Sequence, residues 1–193
     1  MKKRDFLAAL AAAGALPASA PAMAATAARG PALLTVTGAI TRANRGPFDP
    51  VADQMMHKQK LTFDKAWTFD FAALTKLPSV KIRPTLEYDG KVHTLTGPLL
   101  TDVLKAAGVT LGNGQRIALR AVDGYAAAIT GEQVRARRYI VATHLDGQPM
   151  ALGGLGPLWA LYDADRLPEM AARALAERFS GCPWALYHIE VLA

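Results

Sequence analysis

The chain contains one cysteine, Cys182, which lies in the stretch SGCPWALYHIEVLA at residues 180–193. Its thiol could serve as a metal ligand, as a nucleophile or as an apolar core group. One thiol cannot form a disulfide within the chain. A cysteine between Gly181 and Pro183, just before a predicted strand, is typical of a small buried side chain. The sequence therefore favours an unreactive Cys182 at the start of a strand.

The four histidines are scattered along the sequence, at His57, His93, His144 and His188. A zinc site needs three or four converging ligands, and a His-x-His or i, i+4 pair is the usual signal for one. Neither pair occurs, so the sequence predicts no set of metal ligands. His93 is of interest as a binding residue because it lies on a predicted hairpin arm beside a predicted helix.

Two short stretches combine aromatic rings with carboxylates. Asp123-Gly124-Tyr125 could hydrogen-bond a polar ligand, or it could form a turn in which Gly124 supplies a positive φ. The stretch GPLWALYD, residues 156–163, could place Trp159 in the wall of a pocket, or it could be a strand buried on both faces. Both alternatives stay open, and Trp159 is the preferred pocket residue.

Residues 1–24 have the organisation of an export signal, with basic residues, an alanine-rich stretch and a small-x-small cleavage site at Ala22-Met23-Ala24. The stretch Lys3-Arg4-Asp5-Phe6-Leu7 is similar to a twin-arginine signal with lysine in the first position, so both the folded and the unfolded export routes stay open. Residues 25–31 are predicted to form a flexible tether. We expect a periplasmic or secreted protein without a membrane span.

Removing residues 1–24 from the 193-residue chain leaves 169 residues. Three positive charges and one negative charge leave with them, so the net charge falls from +6 to +4. The remaining length predicts one domain, residues 32–193. This weak charge, without an aromatic-interleaved basic stripe, disfavours nucleic-acid binding. Hydrolase signatures such as Gly-x-Ser-x-Gly and His-Glu-x-x-His are absent from the sequence.

Apolar and β-branched stretches predict strands at residues 32–40, through Leu61, Phe63 and Ala66, across GPLWALYD, and across WALYHIEVLA at residues 184–193. Asp-Gly pairs at residues 89–90 and 146–147 indicate turns. The first pair predicts a hairpin, because both central positions of its favoured turn need a positive φ.

Helix signals lie between these strands. Asp70 is predicted to cap a helix over residues 71–77. The stretch TGPLLTDVLKAAGV, residues 96–109, predicts a helix with Thr96 as its cap, Pro98 in its first turn and Gly108 beyond its end. Thr130 and Gln133 have the spacing of a capping box. The stretch DRLPEMAARALAERF, residues 165–179, predicts a further helix. The fold class is therefore α+β, with mixed β-rich sheets and three or four short helices.

Several pieces, taken in order, resemble the small stand-alone branch of the sulfite-oxidase-type molybdopterin-binding family. They are LTVTGAI, FDFAALTKLP, TGPLLTDVLKAAGV, AVDGYAAAI, THLDGQPMALGGLGPLWALYD and WALYHIEVL. The similarity spans residues 32–192. It implies the sulfite oxidase fold and an oxidoreductase that uses a molybdenum–pterin cofactor for oxygen-atom or electron transfer.

The resemblance implies a cleft between the GPLL helix, the Asp123-Gly124-Tyr125 turn and the GPLW strand. His93, Asp123, Tyr125, Trp159 and Arg138 are the predicted cofactor-binding residues. Arg138 belongs to a basic run with Arg135 and Arg137, which could grip a pterin phosphate or form a solvated strand edge.

Full-length members of the family bind molybdenum through a cysteine upstream of the GPLL helix. Thr85, Leu86 and Glu87 occupy that region here, and Cys182 lies far downstream. A hydroxyl or aliphatic group cannot replace a soft anionic sulfur as a metal ligand without changing the chemistry of the metal, so coordination would fall to water, to Glu87 or to no group. The sequence thus leaves two hypotheses. One is a molybdopterin-dependent oxidoreductase. The other is a cofactor-free module that keeps the fold and binds a small molecule or a periplasmic redox or sensory partner.

Overall fold

The computed structural model describes residues 30–192. The predicted export signal and residues 25–29 of the tether lie outside the described residues. Within that range the strands are β1 Leu34–Gly38, β2 Trp67–Phe69, β3 Ser79–Ile82, β4 Leu95–Pro98, β5 Arg116–Ala121, β6 Ala126–Thr130, β7 Ile140–Ala142, β8 His144–Leu145, β9 Gln148–Pro149, β10 Trp159–Leu161 and β11 Leu186–Val191. The α-helices are α1 Gln54–Lys58, α2 Phe71–Thr75, α3 Leu100–Ala106, α4 Gly131–Ala136 and α5 Pro168–Ala171.

The main sheet has five strands in the order β2-β1-β11-β5-β6. Strand β1 pairs parallel to β11, and the other neighbours are antiparallel. Leu34, Val36, Ile117, Leu119 and Ile189 are buried in this sheet and belong to the hydrophobic core. The predicted first and closing strands are thus confirmed as β1 and β11.

A second sheet has the order β3-β4-β8-β9, and β7 pairs with β10 beside it. The backbones of β4 and β7 approach so closely that a Cβ at Gly97 would meet the carbonyl oxygen of Val141. The Leu100 amide also donates to the Tyr139 carbonyl over 2.8 Å. Gly97 therefore lets β4 and β7 pack into one core. The molecule is a mixed α+β protein rich in sheet, as the sequence predicts.

Three helix signals are confirmed, two by hydrogen bonds and one by a backbone angle. The Asp70 carboxylate accepts the Ala73 amide over 2.7 Å at the start of α2. Thr130 and Gln133 form the reciprocal capping box of α4. Gly108 follows α3 with a φ of +79°. In each case a local side-chain or backbone rule decides where the helix begins or ends.

Two predicted assignments are wrong. Thr96 and Pro98 lie in β4 and not in the first turn of α3, which begins at Leu100 without a side-chain cap. Residues 95–98 pair with β3 as a strand, so the helix starts only after them. Residues 61–66 do not form a strand. Ala66 makes an isolated bridge with Arg45, and β2 begins at Trp67.

The predicted helix at residues 165–179 is divided into three short pieces: a 3₁₀ turn Ala164–Arg166, α5, and a 3₁₀ turn Leu175–Glu177. Arg178 explains the division, because its guanidinium donates to the carbonyl oxygens of Ala171 and Arg173. Those carbonyls would otherwise accept intrahelical bonds. The described residues contain five α-helices, which exceeds the predicted three or four.

The two Asp-Gly pairs behave differently. Asp146 and Gly147 both have positive φ, at 49° and 81°, and join β8 to β9 as a tight hairpin. At residues 89–90 only Gly90 has a positive φ, and the turn lies within a long connection between β3 and β4. The antiparallel pairing of β3 with β4, continued by the bridge between Thr85 and Val92, encloses this turn, so the predicted hairpin is confirmed, with a loop longer than two residues. None of the helices in residues 30–192 has the length and apolar character that a membrane crossing requires.

Candidate functional site

The candidate site is a cavity of about 380 Å³ at one end of β5. Three segments surround it: the connection at residues 83–94 between β3 and β4, the turn between β5 and β6, and residues 179–184 before β11. Its lining is Glu87, Tyr88, Ala121, Asp123, Tyr125, Phe179, Ser180, Cys182, Pro183 and Trp184. A volume of this size suits a small organic ligand.

Asp123 and Tyr125, both predicted binding residues, lie in this cavity wall. The Asp123 carboxylate accepts the Tyr125 amide over 2.9 Å, which fixes the turn between β5 and β6. Gly124 has a φ of +93° within it. The Tyr125 hydroxyl donates to the Ser180 carbonyl and so connects two walls of the cavity. The stretch is thus a glycine turn and a cavity wall at the same time.

Cys182 lies in the opposite wall and is buried. Its sulfur is 4.0 Å from the hydroxyl oxygen of Tyr139, and burial raises the thiol pKa to about 12. A thiol with this pKa stays protonated at neutral pH and is a poor nucleophile or metal ligand. Cys182 lies in a turn, its amide donating to the Phe179 carbonyl, and not at the start of β11.

Trp159 forms the layer behind the cavity and does not line it. Its side chain is fully buried, and its indole N–H donates to the Cys182 carbonyl over 2.9 Å. Its ring lies 6.3 Å from that of Tyr88 and 6.1 Å from that of Phe179. Trp159 therefore supports three wall residues from the core side, which corrects its predicted place in the pocket wall.

An ionic network holds the wall segment that contains Glu87 and Tyr88. Asp165 accepts both the amide and the hydroxyl of Thr85, over 2.6 and 2.7 Å, through one carboxylate oxygen. Its other oxygen accepts from Arg178 over 2.7 Å. Arg178 in turn binds the carbonyls of Ala171 and Arg173. The pieces of the divided helix therefore fasten the cavity wall to the core.

Replacing Asp165 by asparagine is expected to loosen residues 85–88 without unfolding the protein. The amide keeps the size of the carboxylate but has one acceptor oxygen, so it cannot serve Thr85 and Arg178 together. We expect a loss of about 1–2 kcal/mol in local stability, seen as roughly tenfold or faster hydrogen–deuterium exchange at the Thr85 amide. Unchanged exchange at Thr85 would contradict this. Asp64→Asn, at an exposed carboxylate in another loop, is the matched control.

His93 does not line the cavity but fixes the same wall segment. Its ring nitrogens contact Asp146 at 2.6 Å and Asp89 at 3.0 Å. Hydrogen bonds that the His93 ring donates to the carboxylates of Asp146 and Asp89 raise the pKa of His93. The pKa of Asp146 is lowered by its hydrogen bonds with His93 and with the Thr94 amide. His93 thus links the 89–90 and 146–147 turns, which makes it a positioning residue.

Arg138 lies at the end of α4, exposed and with a φ of +54°, and does not line the cavity. Its neighbour Arg137 stacks over the Tyr162 ring at 5.2 Å. Sequence reasoning did not select Tyr88, Phe179, Ser180 or Trp184 as binding residues, although all four line the cavity. The signal for Trp184 was its position two residues after the single cysteine.

A second cavity of about 290 Å³ lies between β1, α1 and β11, lined in part by Met55, Met56, Leu152 and Tyr187. None of the predicted binding residues lines it. Within residues 30–192, no group of three or more histidine, cysteine, aspartate or glutamate side chains could hold a metal ion. The 380 Å³ cavity brings together two predicted binding residues, Asp123 and Tyr125, and is therefore the candidate site.

Comparison with known proteins gives one informative result. No family model and no curated protein matches the sequence. Among solved structures, the sulfane dehydrogenase SoxCD from Paracoccus pantotrophus has a similar backbone, with a TM-score of 0.53 over 82% of this chain. The two chains share a related fold. Their sequence identity is 11%, and the similar region covers 37% of that SoxCD chain, so this protein corresponds to a portion of it.

Proposed function

We propose that the protein is an exported ligand-binding domain of the sulfite oxidase fold, and that the 380 Å³ cavity is its binding site. The observation behind the proposal is the cavity itself, in which aromatic rings and two carboxylates converge from three separate segments. The backbone similarity to a sulfane dehydrogenase supports the fold. The basic and alanine-rich pattern of residues 1–24 is the support for export.

The cavity lining does not fit a molybdenum–pterin cofactor. The cofactor carries a phosphate, which proteins bind with cationic side chains or clustered amides. The lining contains Glu87 and Asp123 but no lysine or arginine. The thiol of Cys182 is protonated, because burial raises its pKa to about 12. A ligand that tolerates two carboxylates and a neutral thiol suits these walls better.

A molybdopterin-dependent oxidoreductase is the second candidate function. Two features favour it: the short stretches that resemble that family in order along the sequence, and the presence of the one cysteine in the cavity wall. The backbone similarity to a protein named as a dehydrogenase agrees with it. The two functions differ in whether metal accompanies the protein.

The deciding experiment uses protein purified after native export from a host that makes the pterin cofactor. We expect no stoichiometric molybdenum by mass spectrometry and no fluorescence of oxidised pterin. We also expect Cys182→Ser to leave the metal content unchanged. Stoichiometric molybdenum in the wild type that is lost in Cys182→Ser would overturn the ligand-binding proposal in favour of the oxidoreductase.

A second measurement tests the site directly. Small molecules that bind the isotope-labelled protein are expected to shift the backbone amide signals of residues 87–88, 121–125, 179–182 and 184. The backbone amide signals of residues that line the 290 Å³ cavity, such as Met55 and Leu152, serve as the internal control. Binding that shifts only this second group would show that the ligand site is elsewhere.

A further inference from the structure

The cavity gathers the exposed aromatic side chains of the protein. Among residues 30–192, the large hydrophobic residues with high exposure include three aromatics, Tyr88 at 55%, Tyr125 at 46% and Trp184 at 37%. All three line the 380 Å³ cavity. Exposed rings leave apolar area in water, which is unfavourable unless something covers it. Their convergence from three separate segments indicates a surface that a ligand covers.

The charge of this surface is negative. The carboxylates of Glu87 and Asp123 line the cavity, and no lysine or arginine does. Arg137 lies behind the wall, over the Tyr162 ring, and acts electrostatically on Cys182. Enclosure of its hydroxyl, together with the neighbouring Glu87 carboxylate, raises the pKa of Tyr88 to about 12. The site therefore attracts cations and repels anions.

The rings are held in place before a ligand arrives. Tyr125 is fixed by its hydroxyl bond to the Ser180 carbonyl. The Tyr88 ring packs against buried Trp159 at 6.3 Å. Asp165 fastens Thr85, at the start of the same wall segment. Fixed rings lose little side-chain entropy on binding, which increases the affinity that their contacts provide.

We infer that this cavity binds a small organic cation, a quaternary or protonated amine with apolar substituents. The faces of Tyr and Trp rings attract such a cation through their quadrupoles, and nearby carboxylates add Coulomb attraction. The inference rests on the proposed function, because it names the ligand class of the same cavity. It differs from a cofactor role, since the bound group is positive.

Choline and its neutral isostere 3,3-dimethyl-1-butanol test the charge requirement at nearly constant shape. Binding is measured by tryptophan fluorescence and confirmed by calorimetry on the full exported protein. We expect choline to bind at least about tenfold more tightly than the alcohol, and its affinity to fall as salt is raised. Equal binding of the two would overturn the cation inference while leaving a ligand site in place. Binding of neither, up to about 10 mM, would overturn the cation inference and count against the cavity as a ligand site.

Variants assign the effect to named groups. Trp184→Ala and Glu87→Gln are each expected to weaken choline binding about tenfold, while Glu87→Gln leaves alcohol binding unchanged. Calorimetry serves as the readout for Trp184→Ala, because that variant removes a reporter ring. Glu132→Gln, at an exposed position on α4 outside the cavity, is the matched charge control. Wild-type choline affinity in Glu87→Gln and in Asp123→Asn, with both variants folded by circular dichroism, would overturn the proposal.

Discussion

Replacing Trp159 by alanine is expected to lower the free energy of unfolding by about 3–5 kcal/mol, the largest effect of any single substitution proposed for this protein. The Trp159 side chain is fully buried in β10. Alanine would leave a large void between the Tyr88 and Phe179 rings and remove the donor to the Cys182 carbonyl. Urea unfolding followed by far-ultraviolet circular dichroism measures the loss.

Trp159→Phe separates the contribution of ring packing from that of the hydrogen bond to the Cys182 carbonyl. Phenylalanine keeps a ring in the core but cannot donate to the Cys182 carbonyl, so we expect a smaller loss of about 1–3 kcal/mol. The cavity should also lose ligand affinity in Trp159→Ala, because Tyr88 and Phe179 lose their support. A Trp159→Ala protein as stable as the wild type would show that β10 does not have the packing described above.

The stability of the protein is expected to fall as the pH drops below about 6.5, because of His188. This side chain is 1% exposed, and burial, with a contribution from Arg120, lowers its pKa to about 3. Arg120 donates to Nδ1 over 3.2 Å, which leaves Nε2–H to donate to Thr37 over 2.8 Å. The native state therefore holds a neutral His188.

The unfolded chain binds a proton at His188 near pH 6.5, whereas the native chain does not until about pH 3. Stability is thus complete above pH 6.5 and decreases between these values by up to about 1.4 kcal/mol per pH unit. From pH 7 to pH 5 the loss is about 2 kcal/mol. Glu190, paired with Arg120 at 2.7 Å, keeps the arginine in position next to His188.

His188→Gln isolates this contribution from the other titrating groups. Glutamine retains a donor for Thr37 but has no proton to gain, so the pH 7 to pH 5 loss should shrink by about 2 kcal/mol. His93 has the opposite effect on how the free energy of unfolding changes with pH. Its raised pKa adds stability at low pH that is lost as pH rises through the folded value. If the free energy of unfolding falls by the same amount between pH 7 and pH 5 in the wild type and in His188→Gln, the proposed role of His188 is ruled out.

Local rules predicted those parts of the fold that neighbouring residues decide. The cap at Asp70, the capping box at Thr130 and the glycine after α3 were all predicted from a few residues of sequence, and all are confirmed. Asp146-Gly147 adopts its turn because β8 ends immediately before it and β9 begins immediately after it. Asp89-Gly90 lies in the loop of the hairpin that β3 and β4 form, but the loop beyond the Thr85–Val92 bridge is longer than two residues, and only Gly90 has a positive φ.

Long-range contacts account for the parts that the sequence did not predict. The helix predicted at residues 165–179 is divided because the Arg178 guanidinium donates to backbone carbonyl oxygens within it and also pairs with Asp165. Asp165 in turn accepts from Thr85, which belongs to a distant segment. Helix periodicity contains no information about such a partner. For the same reason the pattern GPLWALYD identified Trp159 as important without indicating that it lies behind the cavity.

The candidate site was predicted only in part. Asp123 and Tyr125 were selected because a glycine turn does not by itself require a tyrosine, and both line the cavity. Tyr88 and Trp184 were not selected. Tyr88 directly follows Glu87, and Trp184 lies two residues after Cys182, and in both places the sequence analysis considered only the possible metal ligand. His93 was selected for its place on a hairpin arm beside a helix, and Arg138 as part of a basic run, and neither reaches the cavity wall.

Strand β11 occupies the centre of the main sheet, yet it follows every other described strand in the sequence. Its neighbour β1 is the earliest of them, so this parallel pair closes a loop of some 150 residues, from Thr35 to His188. During synthesis the sheet cannot form until Val191 has left the ribosome. Because such a long loop must close before the central pair forms, we expect the complete sheet to fold more slowly than a sheet of this size built from local hairpins.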